Sequence, residues 1–294
     1  MDAPGGTPPS ADTLQRRLTS HCYRLLGSIT EAAEVARGVS SYDDATRECL
    51  VRAGARSLPT DLAPPSVNPE GALSERSEVL WLEPIPDHLI DGRPLDLGLI
   101  AALQRLPPRQ RAATVLHDIE AWPADRITNL LGPVEPASAL GSVAGVPPRT
   151  DVLLLQRYRA AFEEYDVPAI VGLFTDDTIW EMPPFTSWFR GARDIGRLIS
   201  THCPAQGPGD QILIPLRANG QPAFAVYMRD PRDNIHRAFQ LQVLTLTAAA
   251  IVHAVAFFDP SLFPTFHLPD LLTGLPPNLY DGTLKPHLER LPKH

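Results

Sequence analysis

The chain is poor in cysteine and has no long apolar run. Its three cysteines, Cys22, Cys49 and Cys203, lie far apart and show no metal-ligand spacing. That argues for reduced thiols in a cytoplasmic protein, and against a disulfide framework or a zinc site. No stretch approaches the roughly 18 apolar residues of a membrane helix, and the N-terminal MDAPGGTPPS lacks the basic and apolar regions of a signal peptide. A cytoplasmic protein with no membrane partner is therefore expected. Phosphate-binding loops and dinucleotide fingerprints are missing as well, so no cofactor and no metal is expected. The net charge of −8 argues against broad affinity for nucleic acid, which depends on neutralising phosphates. Cations do gather locally at Arg105, Arg109 and Arg111 as a small basic patch, but none occurs from Ile127 to Pro148.

Proline, in contrast, is plentiful. The 32 prolines cluster at 4–9, 59–69, 84–94 and 133–148, where they read as linkers and helix stops. A length of 294 residues with 44% hydrophobic content suits two domains, each with a sizeable core. Residues 1–58 have helical periodicity, with Leu14, Leu18, Cys22 and Leu25 along one face. Residues 59–97 read as a proline-rich linker. Residues 98–150 are helical again up to NLLG, after which PVEPASALGSVAGVPP is a poor helix former.

The texture changes at Asp151. Residues 151–275 begin with an amphipathic helix pair and continue into a run of antiparallel-looking strands, the α+β order, and 276–294 form a tail. In the strand starting at His236, alternation puts His236, Gln240, Gln242 and Leu244 on one face and Phe239, Leu241 and Val243 on the other.

The strings HCYRLLGS, WLEPIPD and ALQRLPPRQRAATVLHDIEAW in the first half, with WEMPPFTSWFRG, HCPAQGPGD, ANGQPAFAVYMR and FQLQVLTLT in the second, together resemble one family. It is the subgroup of extracytoplasmic-function sigma factors that carry a fused SnoaL-like C-terminal domain. The resemblance spans about residues 13–270. It implies helical regions two and four, followed by a cone-shaped α+β barrel of the SnoaL, or nuclear-transport-factor-two-like, type. In that family region two melts the −10 promoter element with aromatic and basic residues. Here most of that segment is missing, since EAAEVARGVSSYDDATRECL runs straight into VRAGARSLP. The place of the region-four recognition helix falls in the stretch without cations. Both DNA-reading parts look degenerate, so DNA binding is expected to be weak or absent.

SnoaL-like cones that are enzymes generally work without a cofactor, through a carboxylate or histidine in an apolar pocket. Glu181, in TIWEMPP, sits in the strand that commonly carries a polar functional residue in the superfamily. Alternation puts either Glu181 or its neighbours Trp180 and Met182 inward and does not choose between them. His253, in the last apolar strand, and His236, at a strand start, complete the expected acid–base set; a hydrogen-bonded structural role is the competing reading for each. Trp188, Asn219, Gln221, Tyr227, Gln240 and Gln242 are expected to join Trp180 and Met182 around a substrate, although Asn219-Gly220 is first of all a hairpin turn signal.

The leading expectation is a repurposed sigma-like protein whose SnoaL-like domain binds and transforms a small organic molecule by acid–base chemistry. Cyclisation, isomerisation or hydrolysis in specialised metabolism would suit such a domain. The competing expectation is a divergent sigma factor or transcriptional regulator, with core RNA polymerase as partner and the cone as a regulatory domain.

Overall fold

The computed structural model describes residues 11–52, 54–137 and 151–272. The poor helix former after Pro133 lies outside the described residues from 138 onward, as does the tail 276–294. The chain divides into two units, one within Met1–Arg56 and Leu82–Ala144, the other within Ser57–Trp81 and Gly145–His294. The two helical stretches, expected as separate domains, thus form one unit. The expected linker 59–97 is split between the two units at 81/82.

The first unit contains helices α1 (Ala11–Leu26), α2 (Ile29–Gly38), α3 (Tyr42–Arg52), α5 (Leu97–Gln104), α6 (Pro108–Thr114) and α7 (Ala124–Leu131), with a π-helical turn at Val115–Ile119. The label α4 belongs to a turn at Pro59–Leu62 in the second unit. Local chemistry sets several of the boundaries. Ser28 Oγ accepts from the Glu31 N–H and Asp96 Oδ1 from the Leu99 N–H, capping α2 and α5. Gly27 turns the chain between α1 and α2 at φ +68, where a Cβ would come 2.9 Å from Leu82 Cδ1.

What merges the helical stretches is a set of buried polar ties. Arg111, 1% exposed, donates from Nη1 to Leu25 O at 2.6 Å and to Gln104 Oε1 at 2.7 Å, and from Nη2 to Gln104 O at 3.1 Å. Burial lowers its pKa to about 10, so the guanidinium remains charged at neutral pH. Arg24 Nη1 reaches Glu120 Oε1 at 2.6 Å, and Tyr23 donates its hydroxyl proton to Glu83 O at 2.8 Å. Of the patch expected from Arg105, Arg109 and Arg111, the first two are exposed and Arg111 is withdrawn into the interior. Arg111 is inside because the carbonyls it satisfies, on α1 and at the end of α5, are inside.

The second unit is α+β. Helices α8 (Val152–Glu163), α9 (Val167–Val171) and α10 (Ala192–His202) accompany strands β1 (Phe174–Glu181), β2 (Trp188–Arg190), β3 (Gln211–Ala218), β4 (Gln221–Arg229), β5 (His236–Leu246), β6 (Ile251–Phe257) and β7 (Leu271–Leu272). The sheet order is β2-β1-β6-β5-β4-β3, and β7 pairs with β5. The run β3–β6 is antiparallel, as expected, whereas β1 and β6 pair in parallel with four strands between them in the chain.

One face of this sheet, called inner here, packs on the helices. Its core includes Tyr158 and Phe162 of α8, Ile195 and Leu198 of α10, and Trp180, Phe224, Val226, Leu244 and Ala254 from the strands. Phe162 and Trp180 stack with centroids 6.2 Å apart, and Tyr158 stacks on Phe224 at 5.6 Å. Pairs of this kind contribute about 0.5–1.5 kcal/mol beyond the area they bury.

Candidate functional site

Alternation along β1 decides the question that the sequence left open. Trp180 and Met182 belong to the inner core, 3% and 4% exposed. Glu181 therefore points to the opposite, outer face. His253 does the same on β6, because its neighbour Ala254 pairs with Trp180 and lies in the inner core. The two outward side chains meet: His253 Nε2 lies 2.7 Å from Glu181 Oε1. Glu181 is completely buried, whereas the His253 side chain is 26% exposed.

A buried carboxylate is costly without donors, and this one has a second. Thr60 N–H donates to Glu181 Oε2 at 2.7 Å. Thr60 lies in α4, where Pro59 occupies the first turn and Asp61 Oδ2 accepts from the Leu58 N–H at 2.9 Å. The first-turn N–H groups of a helical turn have no partner within it, and Glu181 supplies one. Trp188, paired with Glu181 across β1–β2, donates its indole N–H to Ala63 O at 2.7 Å. Beyond this point residues 57–81 follow the β2 edge. Ser66 N–H donates to Trp188 O, Arg76 N–H to Pro184 O and Thr186 N–H to Ser74 O, at 2.8, 3.0 and 2.9 Å. Glu70 then takes both Arg197 Nε and Nη2 at 2.9 Å.

The inner face bears a different polar set. Val226 pairs with Gln240 and Phe224 with Gln242, which puts both glutamines among the core rings. Tyr158 OH donates to Gln242 Oε1 at 2.8 Å, and burial raises the phenol well above its ordinary pKa, so it stays a neutral donor. Gln242 Nε2 and Gln240 Oε1 are buried with no hydrogen-bond partner. The expected grouping of Glu181, His253, Gln240 and Gln242 in one pocket is therefore not formed. Period-two alternation sends the acid–base pair and the amides to opposite faces.

The remaining candidates scatter. The alternation expected in β5 is interrupted by a bulge: Tyr227 pairs with Ala238 but Val226 with Gln240, leaving Phe239 as the extra residue. His236 consequently lies on the face opposite Gln240, and its Nε2 is 2.9 Å from Gly209 O. Asn219 (φ 56) and Gly220 (φ 72) form the β3–β4 hairpin turn, as their dipeptide suggests. Gln221 Nε2 donates to Thr245 Oγ1 at 2.9 Å, and Tyr227 OH to Pro269 O at 2.8 Å. Both occupy the outer face, away from Gln242. Sequence reasoning missed Thr60 and Tyr158. The Leu58-Pro59-Thr60-Asp61 start signal was readable, but nothing local shows that it meets Glu181.

Several basic side chains of the first unit are engaged by acids. Arg16 and Arg17 face Asp91 at 3.6 and 3.5 Å, Arg52 bridges Glu34 and Glu48 at 2.8 and 3.0 Å, and Arg126 meets Asp43 at 3.1 Å. Phosphate contacts from these residues would compete with those pairs. Among the described residues, no group of three or more His, Cys, Asp or Glu is placed to hold a metal ion. No described helix is long and apolar enough to cross a membrane.

Comparison with known proteins gives a consistent picture. The chain is 40% identical over 310 residues to the ECF RNA polymerase sigma factor SigG of Mycobacterium tuberculosis, covering 88% of this chain and 82% of the relative. It is 26% identical over 230 residues to the ECF RNA polymerase sigma factor SigJ of the same organism, covering 67% of this chain and 73% of the relative. The crystal structure of M. tuberculosis SigJ superposes with a TM-score of 0.56 at 19% identity, covering 87% of this chain and 97% of that one, a likeness of fold. No family model matches the chain.

Proposed function

The chain belongs to the extracytoplasmic-function RNA polymerase sigma factors, and from that premise we propose that it is a divergent sigma factor whose second unit, a SnoaL-like cone, regulates it and is not an enzyme. The observation that carries the regulatory reading is the position of Glu181 and His253. They face away from the inner core, and the carboxylate is occupied by a backbone N–H of the segment connecting the two helical stretches. A general base for a reaction inside the cone would have to share a face with Trp180 and Gln242. The partner in this reading is core RNA polymerase, and the cytoplasm is its compartment. Direct promoter affinity is small, given the acid-paired arginines and the cation-free stretch after Arg126. The unpartnered amide ends of Gln240 and Gln242 suit the cone to a neutral, hydrogen-bonding small molecule as effector.

The test is reconstitution with the host's core RNA polymerase. Co-migration with core and specific run-off transcripts from a promoter-fragment library are expected. Absence of both, relative to core alone, overturns the reading.

One observation favours the enzymatic reading: the buried Glu181 carboxylate orients the partly exposed imidazole of His253. Under that reading Glu181→Gln and His253→Ala each lower turnover about 10²–10⁴-fold while the fold survives. Under the regulatory reading no turnover depends on them.

A further inference from the structure

Two thiols meet inside the first unit. Cys22 of α1 and Cys49 of α3 are 0% and 2% exposed, and the Cys49 thiol donates a hydrogen bond to Cys22 Sγ. The same two helices are joined beside this contact, where His21 Nε2 lies 2.9 Å from Thr46 Oγ1. Thr46 donates its hydroxyl proton to Tyr42 O at 2.7 Å, so the imidazole is the donor to Thr46. With His21 and Thr46 tied in this way, the next inward positions on α1 and α3 are the two sulfurs. The hydrogen bond to Cys22, and burial after it, push the Cys49 thiol up from its ordinary pKa. While α3 is docked, the thiols are therefore protonated, dry and poor nucleophiles.

The docking of α3 is weak, however. Of its 11 residues, Ala45, Thr46 and Cys49 are the buried ones, and all three are small. A helix that buries so little apolar area opens locally at low cost, well before its unit unfolds.

We infer that Cys22 and Cys49 are an oxidation site, at which a hydroperoxide admitted by the opening of α3 is reduced and the two thiols become a disulfide fastening α3 to α1. In the open state the Cys49 sulfur is solvated, and its thiolate attacks one peroxide oxygen. The O–O bond breaks, an alcohol leaves (water, from hydrogen peroxide), and Cys49 becomes a sulfenic acid. Once α3 redocks, the Cys22 sulfur attacks the sulfenic sulfur. The S–S bond forms, the S–OH bond breaks, and hydroxide leaves as water with the Cys22 proton. Two electrons pass from the thiols to the peroxide. The sulfurs start in contact and close to about 2.05 Å. The product encloses all of α2 in a covalent loop and abolishes the open state of α3.

The test uses the full-length chain on a Cys203→Ser background, treated with hydrogen peroxide under native conditions. Cysteine peptides are then mapped by mass spectrometry without reduction. A linked Cys22–Cys49 peptide is expected, and dithiothreitol should return both thiols. Backbone amides of 43–52 should exchange at least about ten-fold more slowly in the oxidised chain, because their local opening is blocked. Over-oxidation of Cys49 without linkage, or linkage that forms only in denaturant, overturns the site.

The gate is tested separately by Arg47→Gly. Arg47 is exposed on α3, so the change leaves both thiols in place and weakens the helix itself. A glycine inside a helix should speed native-state linkage about three-fold or more. An unchanged rate in a variant whose circular dichroism matches the parent, or unslowed exchange at 43–52 after oxidation, overturns the gating by α3.

Discussion

Tyr158 offers a test of how the inner face of the sheet is held together. Its ring is fully buried and its hydroxyl donates to Gln242 Oε1 at 2.8 Å, the one hydrogen bond that this amide makes, because Gln242 Nε2 has no partner. Tyr158→Phe keeps the stack on Phe224 and removes only the donor. The orphaned carbonyl then bears its desolvation cost, about 1–3 kcal/mol. In a unit of this size each kcal/mol moves the melting temperature by about 2–4 °C, so a fall of roughly 2–12 °C is expected. Because burial keeps the phenol neutral far above its ordinary pKa, the deficit should be the same at pH 6 and pH 9. The double variant Tyr158→Phe/Gln242→Leu removes both partners and should regain most of the loss, since paired deletion leaves nothing unsatisfied. Differential scanning calorimetry of the four proteins gives the cycle. A single variant as stable as wild type, or a double variant at least as unstable as the sum of the singles, refutes the reasoning.

Other expectations follow from the buried and paired charges. Arg111→Met keeps volume but strips donors from Leu25 O, Gln104 Oε1 and Gln104 O; calorimetry should show the helical unit destabilised by about 3 kcal/mol or more, and a loss below about 1 kcal/mol would contradict the tie described here. For Asp210, burial acts to raise the carboxyl pKa, but the Gln206 N–H and the Arg229 guanidinium outweigh it and hold the value below the usual range. A folded pKa below the unfolded one gives stability that is complete above the unfolded value near about 3.9 and fades as pH falls through the folded value. The melting deficit of Asp210→Asn should therefore be present at pH 7 and shrink as pH falls below the usual carboxylate range; a deficit independent of pH would show that the charge is not its cause.

Much of the local structure was readable in the residues themselves. Helical periodicity and the change of texture at Asp151 mark where α8 begins, Gly132 of NLLG ends α7 at φ 72, and Asn219-Gly220 turns the β3–β4 hairpin. These features depend on neighbours within about four positions, and short-range sterics and capping bonds are enough to set them. The choice of Glu181 and His253 as chemically notable was also available, because ionisable groups inside apolar strands need partners wherever they end up.

Which partners they find is a matter of tertiary structure. Period-two alternation requires Trp180 and Glu181 to face opposite ways but is silent on which way is inward. That was decided by α8 and α10, whose Phe162 and Leu198 cover one side of the sheet. The bulge at Phe239 depends on how β4 aligns with β5, and so the side on which His236 emerges could not be counted from its own strand. Arg111 looked like surface charge, and became interior only because the carbonyl of Leu25, 86 positions earlier, was left needing a donor. The carboxylate of Glu181 closes on a partner 72 positions away and on an amide 121 positions away. Bonds over such separations form only after the chain has collapsed. Residue types and spacing can state that a buried charge must be satisfied, but only the packed chain selects the group that satisfies it.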